Sequence, residues 1–156
     1  MAVRDGWDRH VQFGLDHPAF YVLLYGRIEP GRPCAITGPA HTMLCELLTA
    51  AAQHGLLRVP PARAAGQILA ANTGVTLALI TQPGNDRDPN LSASVREAAI
   101  AGVLRQPAEA ATSGRPDHVA TATTLRALIQ DKPAALTTGE HILLQELLER
   151  LAAAER

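Results

Sequence analysis

Cys34, His41 and Cys45 are the residues whose types come closest to metal chemistry. His41 and Cys45 are four apart and fall on one helix face. Zinc asks for a fourth protein ligand or an open position. The spacing of the three matches no zinc or thioredoxin pattern. They read as small buried hydrophobes and a histidine near a helix start, so no metal is expected. Asp86-x-Asp88-x-Asn90, with Glu97 further on, resembles a calcium loop in its acids alone. Leu91 stands where that loop needs glycine, and Pro89 stiffens its middle. The segment reads as a polar loop whose Asp or Asn caps the next helix.

No G-x-S-x-G, H-E-x-x-H, glycine-rich phosphate loop, C-x-x-C or Glu-x-x-His pair occurs. The expectation is therefore a protein without catalysis and without a cofactor. Binding is the better candidate. Asn72, Thr73 and Thr76 interrupt the apolar run Ile68–Ile80. A buried Asn without a partner costs on the order of 1–3 kcal/mol. Such residues point either to a cavity holding a ligand or water, or to a buried network joining helices. All five aromatic residues, Trp7, Phe13, Phe20, Tyr21 and Tyr25, lie within the first 25 positions. Aromatic walls with one polar tip suit apolar ligands as well as cores. Phe13 is expected in the core, and Trp7 and Tyr21 at a pocket.

These residues need elements to hold them. The chain has 156 residues, enough for one domain to fold without a disulfide or metal staple. Hydrophobic residues make up 47% but aromatics only 3%, so the core must be aliphatic and rich in Ala. That composition favours helices. Net charge is −1, and the basic residues are spread along the chain with no basic patch, which disfavours direct nucleic-acid binding. The opening residues are no signal segment, and Ile68–Ile80 is too short and polar for a bilayer. A reducing cytoplasm suits the two cysteines.

Proline and glycine punctuation cuts the chain into seven helical pieces. The first runs from about Ala2 to Asp16, with Val3, Trp7, Val11 and Leu15 as its apolar stripe. Pro18 opens a short second helix ending near Gly26. Arg27–Gly38 reads as a loop. The third helix, about Pro39–His54, carries Met43, Leu44, Leu47, Leu48 and Ala51 on one side, with Gly55 as a left-handed cap. The fourth, Pro60–Thr81, is apolar nearly all round and is expected to be the buried central helix. A fifth covers about Leu91–Gln106, with small residues Ala98, Ala99, Ala101 and Gly102 that admit a close neighbour. Gln106–Pro116 reads as a mobile connection. A sixth spans about Asp117–Gln130. The last opens on the capping box Thr137-x-x-Glu140 and carries a leucine stripe, Leu143, Leu144, Leu147, Leu148 and Leu151. No segment reads convincingly as a strand. The fold class is all-α, a bundle of about seven helices around a buried central helix.

Two segments resemble a known family. Gly6-Trp7-Asp8-x-His10-Val11-x-Phe13-Gly14-Leu15-x-His17-Pro18-Ala19-Phe20-Tyr21-Val22-Leu23-Leu24-Tyr25-Gly26 is similar to the opening of the carboxy-terminal domain of TetR-family transcription regulators. Leu136-Thr137-x-x-Glu140-x-x-Leu143-Leu144-x-Glu146-Leu147-Leu148-x-Arg150-Leu151 resembles the tail of actinobacterial members. The resemblance implies an effector-binding and dimerisation domain over residues 1–156. It implies a homodimer formed through late helices and an effector bound between helices. Few charged residues fall on the presumed pocket faces, so a small apolar or aromatic effector is expected. Such regulators carry an amino-terminal helix-turn-helix head, whereas Met1 already lies in the sensing half. This chain alone is therefore expected not to bind nucleic acid or membrane. Candidate effector contacts are Trp7, His10, Tyr21, Met43, Leu47, Asn72, Thr73 and Thr76. Candidate dimer contacts are Val95, Ala99, Gly102, Leu144, Leu147 and Leu151. Two alternatives stand beside this reading: a headless protein that heterodimerises with intact regulators, and a small helical carrier of apolar compounds.

Overall fold

The computed structural model describes residues 2–26, 31, 37–105, 118–131 and 133–153. The expected loop Arg27–Gly38 and the connection Gln106–Pro116 lie largely outside the described residues, as does Cys34. The protein is all-α. Among the described residues, seven α-helices occur and no strand: α1 Ala2–Asp16, α2 Pro18–Tyr25, α3 Thr37–Gln53, α4 Pro61–Thr81, α5 Leu91–Val103, α6 His118–Leu128 and α7 Thr138–Ala153. A single 3-10 turn, Gly84–Asp86, separates α4 from α5.

The helix ends follow from local chemistry. His17 has φ −129° and ψ 55°, outside the helical region. The ring of a following proline disfavours that region for the residue before it. Pro18 then takes the first position of α2, where its missing N–H costs nothing. At the end of α3, Gly55 has φ +70°. Its N–H donates to the Ala52 carbonyl at 2.9 Å, and the Leu56 N–H donates to the Ala51 carbonyl at 3.1 Å. This pair of bonds is a Schellman cap, and it needs the left-handed conformation that glycine adopts without penalty. At the start of α7 the capping box forms in both directions. The Thr137 N–H donates to Glu140 Oε2 at 2.8 Å, and the Glu140 N–H donates to Thr137 Oγ1 at 3.3 Å.

Helix α3 begins at Thr37, inside the expected loop, and the carboxyl end of α5 departs further from expectation. Helix α5 stops at Val103, not near Gln106, because Leu104 turns out to meet Leu57 in an isolated antiparallel bridge. The Arg58 N–H donates to the Val103 carbonyl and the Arg105 N–H to the Leu56 carbonyl, both at 2.9 Å. Leu57 and Val103 are buried at this point. Two exchanged backbone bonds and a buried apolar pair replace one further helical turn.

The described residues fall into two compact units. The first comprises residues 1–44 and 65–100, and the second residues 45–64 and 101–156. In the first unit, α1 buries Trp7, Val11 and Gly14, and α2 buries Tyr21. Phe13, expected in the core, is 40% exposed and rests edge-on against Phe20. A Cβ on Gly14 would overlap the Thr76 methyl and stand 3.0 Å from the Tyr21 ring, so α1 approaches α4 as closely as a glycine permits. Asp8, Arg96, Glu97 and Arg4 form a chain of ion pairs from α1 to α5.

In the second unit, α6 and α7 form an antiparallel hairpin. Arg126 lies opposite Glu149, and Ile129 opposite His141 and Gln145. Small residues of α6, among them Ala122, let α7 come close. Ala122, Ile129, Leu148 and Ala152 make one cluster, with Leu144 packed against it. The Thr123 and Thr124 hydroxyls donate to carbonyls one turn back, which satisfies them inside this packing.

The sequence pattern makes α4 apolar nearly all round. The helix is buried along one stripe, Ala64, Ala65, Ile68, Asn72, Val75, Thr76 and Leu79. Its exposed residues include Ala62, Gly66, Ala70, Gly74 and Ala78. Ala and Gly count as apolar in a sequence pattern, but exposing them forfeits little hydrophobic free energy. At 21 residues, α4 exceeds the Ile68–Ile80 stretch and is long and apolar enough, by length and composition, to cross a membrane.

Candidate functional site

Two clusters of polar side chains stand out, one in each unit. The first gathers most of the sequence-predicted effector residues. Tyr21 is fully buried, and its phenol shares a hydrogen bond of 2.7 Å with His10 Nε2. The Tyr25 ring lies 4.5 Å from the Tyr21 ring, and the His10 ring meets Tyr21 edge-on. Burial pushes the Tyr21 phenol above its ordinary range, against the pull of hydrogen bonds with Thr76 and Thr73. Burial also lowers His10, so the neutral imidazole is favoured.

The polar residues of α4 are satisfied from within the chain. The Asn72 side-chain amide donates to the Trp7 carbonyl at 3.3 Å, and the Thr76 hydroxyl donates to the Asn72 carbonyl at 2.8 Å. The Trp7 indole N–H donates to Ser92 Oγ at 3.1 Å. Among the described residues, no buried side-chain nitrogen or oxygen lacks a partner. Trp7, His10, Tyr21, Asn72, Thr73 and Thr76 are thus brought together as a network joining α1, α2 and α4. Met43 stands apart, 72% exposed, and Leu47 belongs to the second unit and is also exposed.

The second cluster borders open space. A cavity of about 420 Å³ lies in the second unit, within the size range of small-molecule sites. Helix α3 contributes Cys45 and Thr49 to its wall. Pro60, Pro61 and Ala62 bring the first turn of α4. Arg126, Ala127 and Gln130 come from α6 and the residues just after it, and His141 and Gln145 from α7. The hairpin positions these last groups. The His141 Nε2–H donates to the Ile129 carbonyl at 2.8 Å, and the Gln145 amide donates to the same oxygen at 3.0 Å. Those bonds hold both side chains against the carboxyl end of α6 and satisfy a carbonyl that the helix leaves open. The Gln53 amide serves the Ala127 carbonyl in the same way at 3.4 Å. Arg126 reaches Glu149 at 3.3 Å, with both side chains well exposed. Burial pushes the Cys45 thiol up, which favours the protonated thiol over the thiolate.

Of this wall, sequence reading singled out only Cys45. Arg126 and Gln130 come from α6 and the residues just after it, His141 and Gln145 from α7, and no spacing in the sequence links one pair to the other. His141 and Gln145 do stand one turn apart on α7 beside its inward leucines, and that was the available signal. No family model, curated protein or solved structure matches this chain.

The candidate dimer residues separate. Leu147 and Leu151 are exposed, as are Ile142 and Leu143. Leu144 packs on the core of its own hairpin. The stripe divides because positions 144, 148 and 152 face α6, while positions one residue away are rotated by about 100°. Val95 and Ala99 are half-buried, and a Cβ added at the exposed Gly102 would meet nothing. Among the described residues, no group of three His, Cys, Asp or Glu side chains is arranged to hold a metal. In the Asp86–Asn90 segment, Asp88 Oδ1 accepts the Asn90 N–H at 2.8 Å just before α5.

Proposed function

We propose that this chain is the effector-binding and dimerisation domain of a TetR-like transcription regulator, acting in the cytoplasm without catalysis. A small, mostly apolar effector occupies the cavity of the second unit. A second copy packs on the outer leucines of α7. The observation that carries this reading is the cavity of about 420 Å³, walled by prolines, alanine and a few convergent polar groups.

The two functions share one helix. His141 and Gln145 of α7 border the cavity, while Leu143, Leu147 and Leu151 on the same helix are exposed. A ligand that prefers one position of α7 also prefers one dimer geometry, which is the population shift a sensor requires. Paired α6–α7 hairpins would make a four-helix interface of a common kind. The same exposed leucines support a second reading, in which the partner is an intact regulator of similar build.

Light scattering on the purified chain tests the association. A dimer is expected, and L147E/L151E is expected to give a monomer with unchanged helical content. A wild-type chain that stays monomeric at all concentrations would exclude the homodimer and favour the second reading. A variant that dimerises as before would remove the outer face of α7 from the interface.

A further inference from the structure

The cavity of the second unit has an electrostatic character that the proposed function does not use. Its wall contains a guanidinium, Arg126, an imidazole, His141, and the side-chain amides of Gln130 and Gln145. Among the described residues, it contains no Asp or Glu. The first turn of α4 borders it at Pro60–Ala62, and the amino end of a helix of 21 residues carries partial positive charge. The carboxyl end of α6 also lies there, with the opposite sign. However, its Ala127 and Ile129 carbonyls already accept side-chain donors from Gln53, His141 and Gln145. Pro60, Pro61, Ala62 and Ala127 supply an apolar part of the wall, and the Thr49 hydroxyl beside them donates to the Cys45 carbonyl.

Among the described residues, the Arg126 guanidinium is paired with Glu149 at 3.3 Å, and the Glu149 side chain is 62% exposed. An exposed pair of this kind contributes little, because water and salt screen it. A ligand carboxylate at the cavity mouth can take the guanidinium through two parallel hydrogen bonds. Glu149 then returns to solvent at small cost.

We propose that this cavity binds small monocarboxylic acids with an apolar body, Arg126 receiving the carboxylate in exchange for Glu149 and the Pro60–Ala62 wall packing on the apolar part. The inference rests on the cavity being the effector site and adds the chemical class of the effector.

Two matched pairs of probes test it on the whole chain, benzoate with benzamide and phenylacetate with phenylacetamide. Binding is read by calorimetry, and its location by the NMR side-chain signals of Gln145 and His141. The carboxylates are expected to bind and to move those signals, and the amides to bind far more weakly. Arg126→Gln should weaken carboxylate binding by roughly ten- to a hundredfold, the loss of a charged hydrogen-bonded pair. Arg126→Lys, which keeps the charge and the aliphatic stem, should fall between the two. Glu149→Gln should strengthen binding by about two- to fivefold, because the competing carboxylate is gone. Amides that bind as well as the acids and move the same signals would overturn the acid class while leaving the cavity as the effector site. Acids that bind R126Q unchanged would overturn the role of Arg126. If no probe moves Gln145 or His141, both this inference and the placement of the effector site fall.

Discussion

At the scale of single residues, Gly14 is a tightly constrained position in the first unit. Alanine is the better helix former, so Gly14→Ala would ordinarily stabilise α1 by roughly 0.5–1 kcal/mol. Here the added methyl would overlap the buried Thr76 methyl and crowd the Tyr21 ring. Neither neighbour can yield, because Tyr21 is bonded to His10 and Thr76 to Asn72. Gly14→Ala is therefore expected to destabilise by about 1–3 kcal/mol, the usual cost of overpacking. Thermal or urea unfolding checks this. Thr76→Ser removes the methyl and keeps the hydroxyl, so the penalty should shrink in a T76S background; an equal penalty would place the strain elsewhere. Asn72 and Thr76 were legible as polar residues in an apolar run, with two outcomes open. The partners Trp7 and Tyr21, distant in sequence, decided for a network within the chain.

At the scale of elements, local chemistry predicted most of what is observed. Pro18, Gly55 and the Thr137–Glu140 box each act within a few residues, and each ends or begins a helix where expected. Thr137→Ala removes the hydroxyl that accepts the Glu140 N–H and should cost about 1 kcal/mol of stability. Glu140→Gln should be milder, since an amide can still accept the Thr137 N–H. The Glu140 carboxyl lies below its usual range because the Thr137 N–H and hydroxyl both donate to it. A lowered folded value stabilises above the unfolded value, and that contribution is lost as pH falls through the folded one. The E140Q effect should accordingly fade in acid, by circular dichroism melts; a pH-independent difference would show that the box does not act through the carboxylate. The carboxyl end of α5 is the counter-example. No local signal marks Val103, and the bridge that stops the helix comes from Leu57, far back in the chain.

At the scale of the whole molecule, Glu97 shows what only long-range contact creates. Hydrogen bonds from Arg4 and Arg96 hold its carboxyl at about 2, below the usual 4.5, across more than ninety residues in the case of Arg4. The sign follows from linkage: the pairs stabilise the fold above about pH 4.5, and this is lost as pH falls towards 2. Glu97→Gln should therefore lower the melting temperature at pH 7, and the gap to the wild type should close between those two values. High salt should narrow it as well, because Glu97 and Arg4 are open to solvent, though Arg96 less so. A gap that ignores both pH and salt would mean that Glu97 acts through packing. The division into two units belongs to the same scale. Its boundaries fall inside α3, α4 and α5, where no proline or glycine linker marks them.

Helix identity, most helix ends and the all-α class were determined by the sequence itself. Caps, proline restrictions and i to i+4 periodicity act within one or two turns and need no fold to operate. Which face of each helix is buried was only partly determined. In α7 the broad leucine stripe fits two orientations, and the small residues of α6 select one. The cavity was decided by tertiary structure alone. Cys45 lies far from Arg126 and His141 along the chain, and a wall drawn from α3, α4, α6 and α7 cannot be read from the period of any one of them. Polar groups at such a wall carry meaning only once packing places them around a common space.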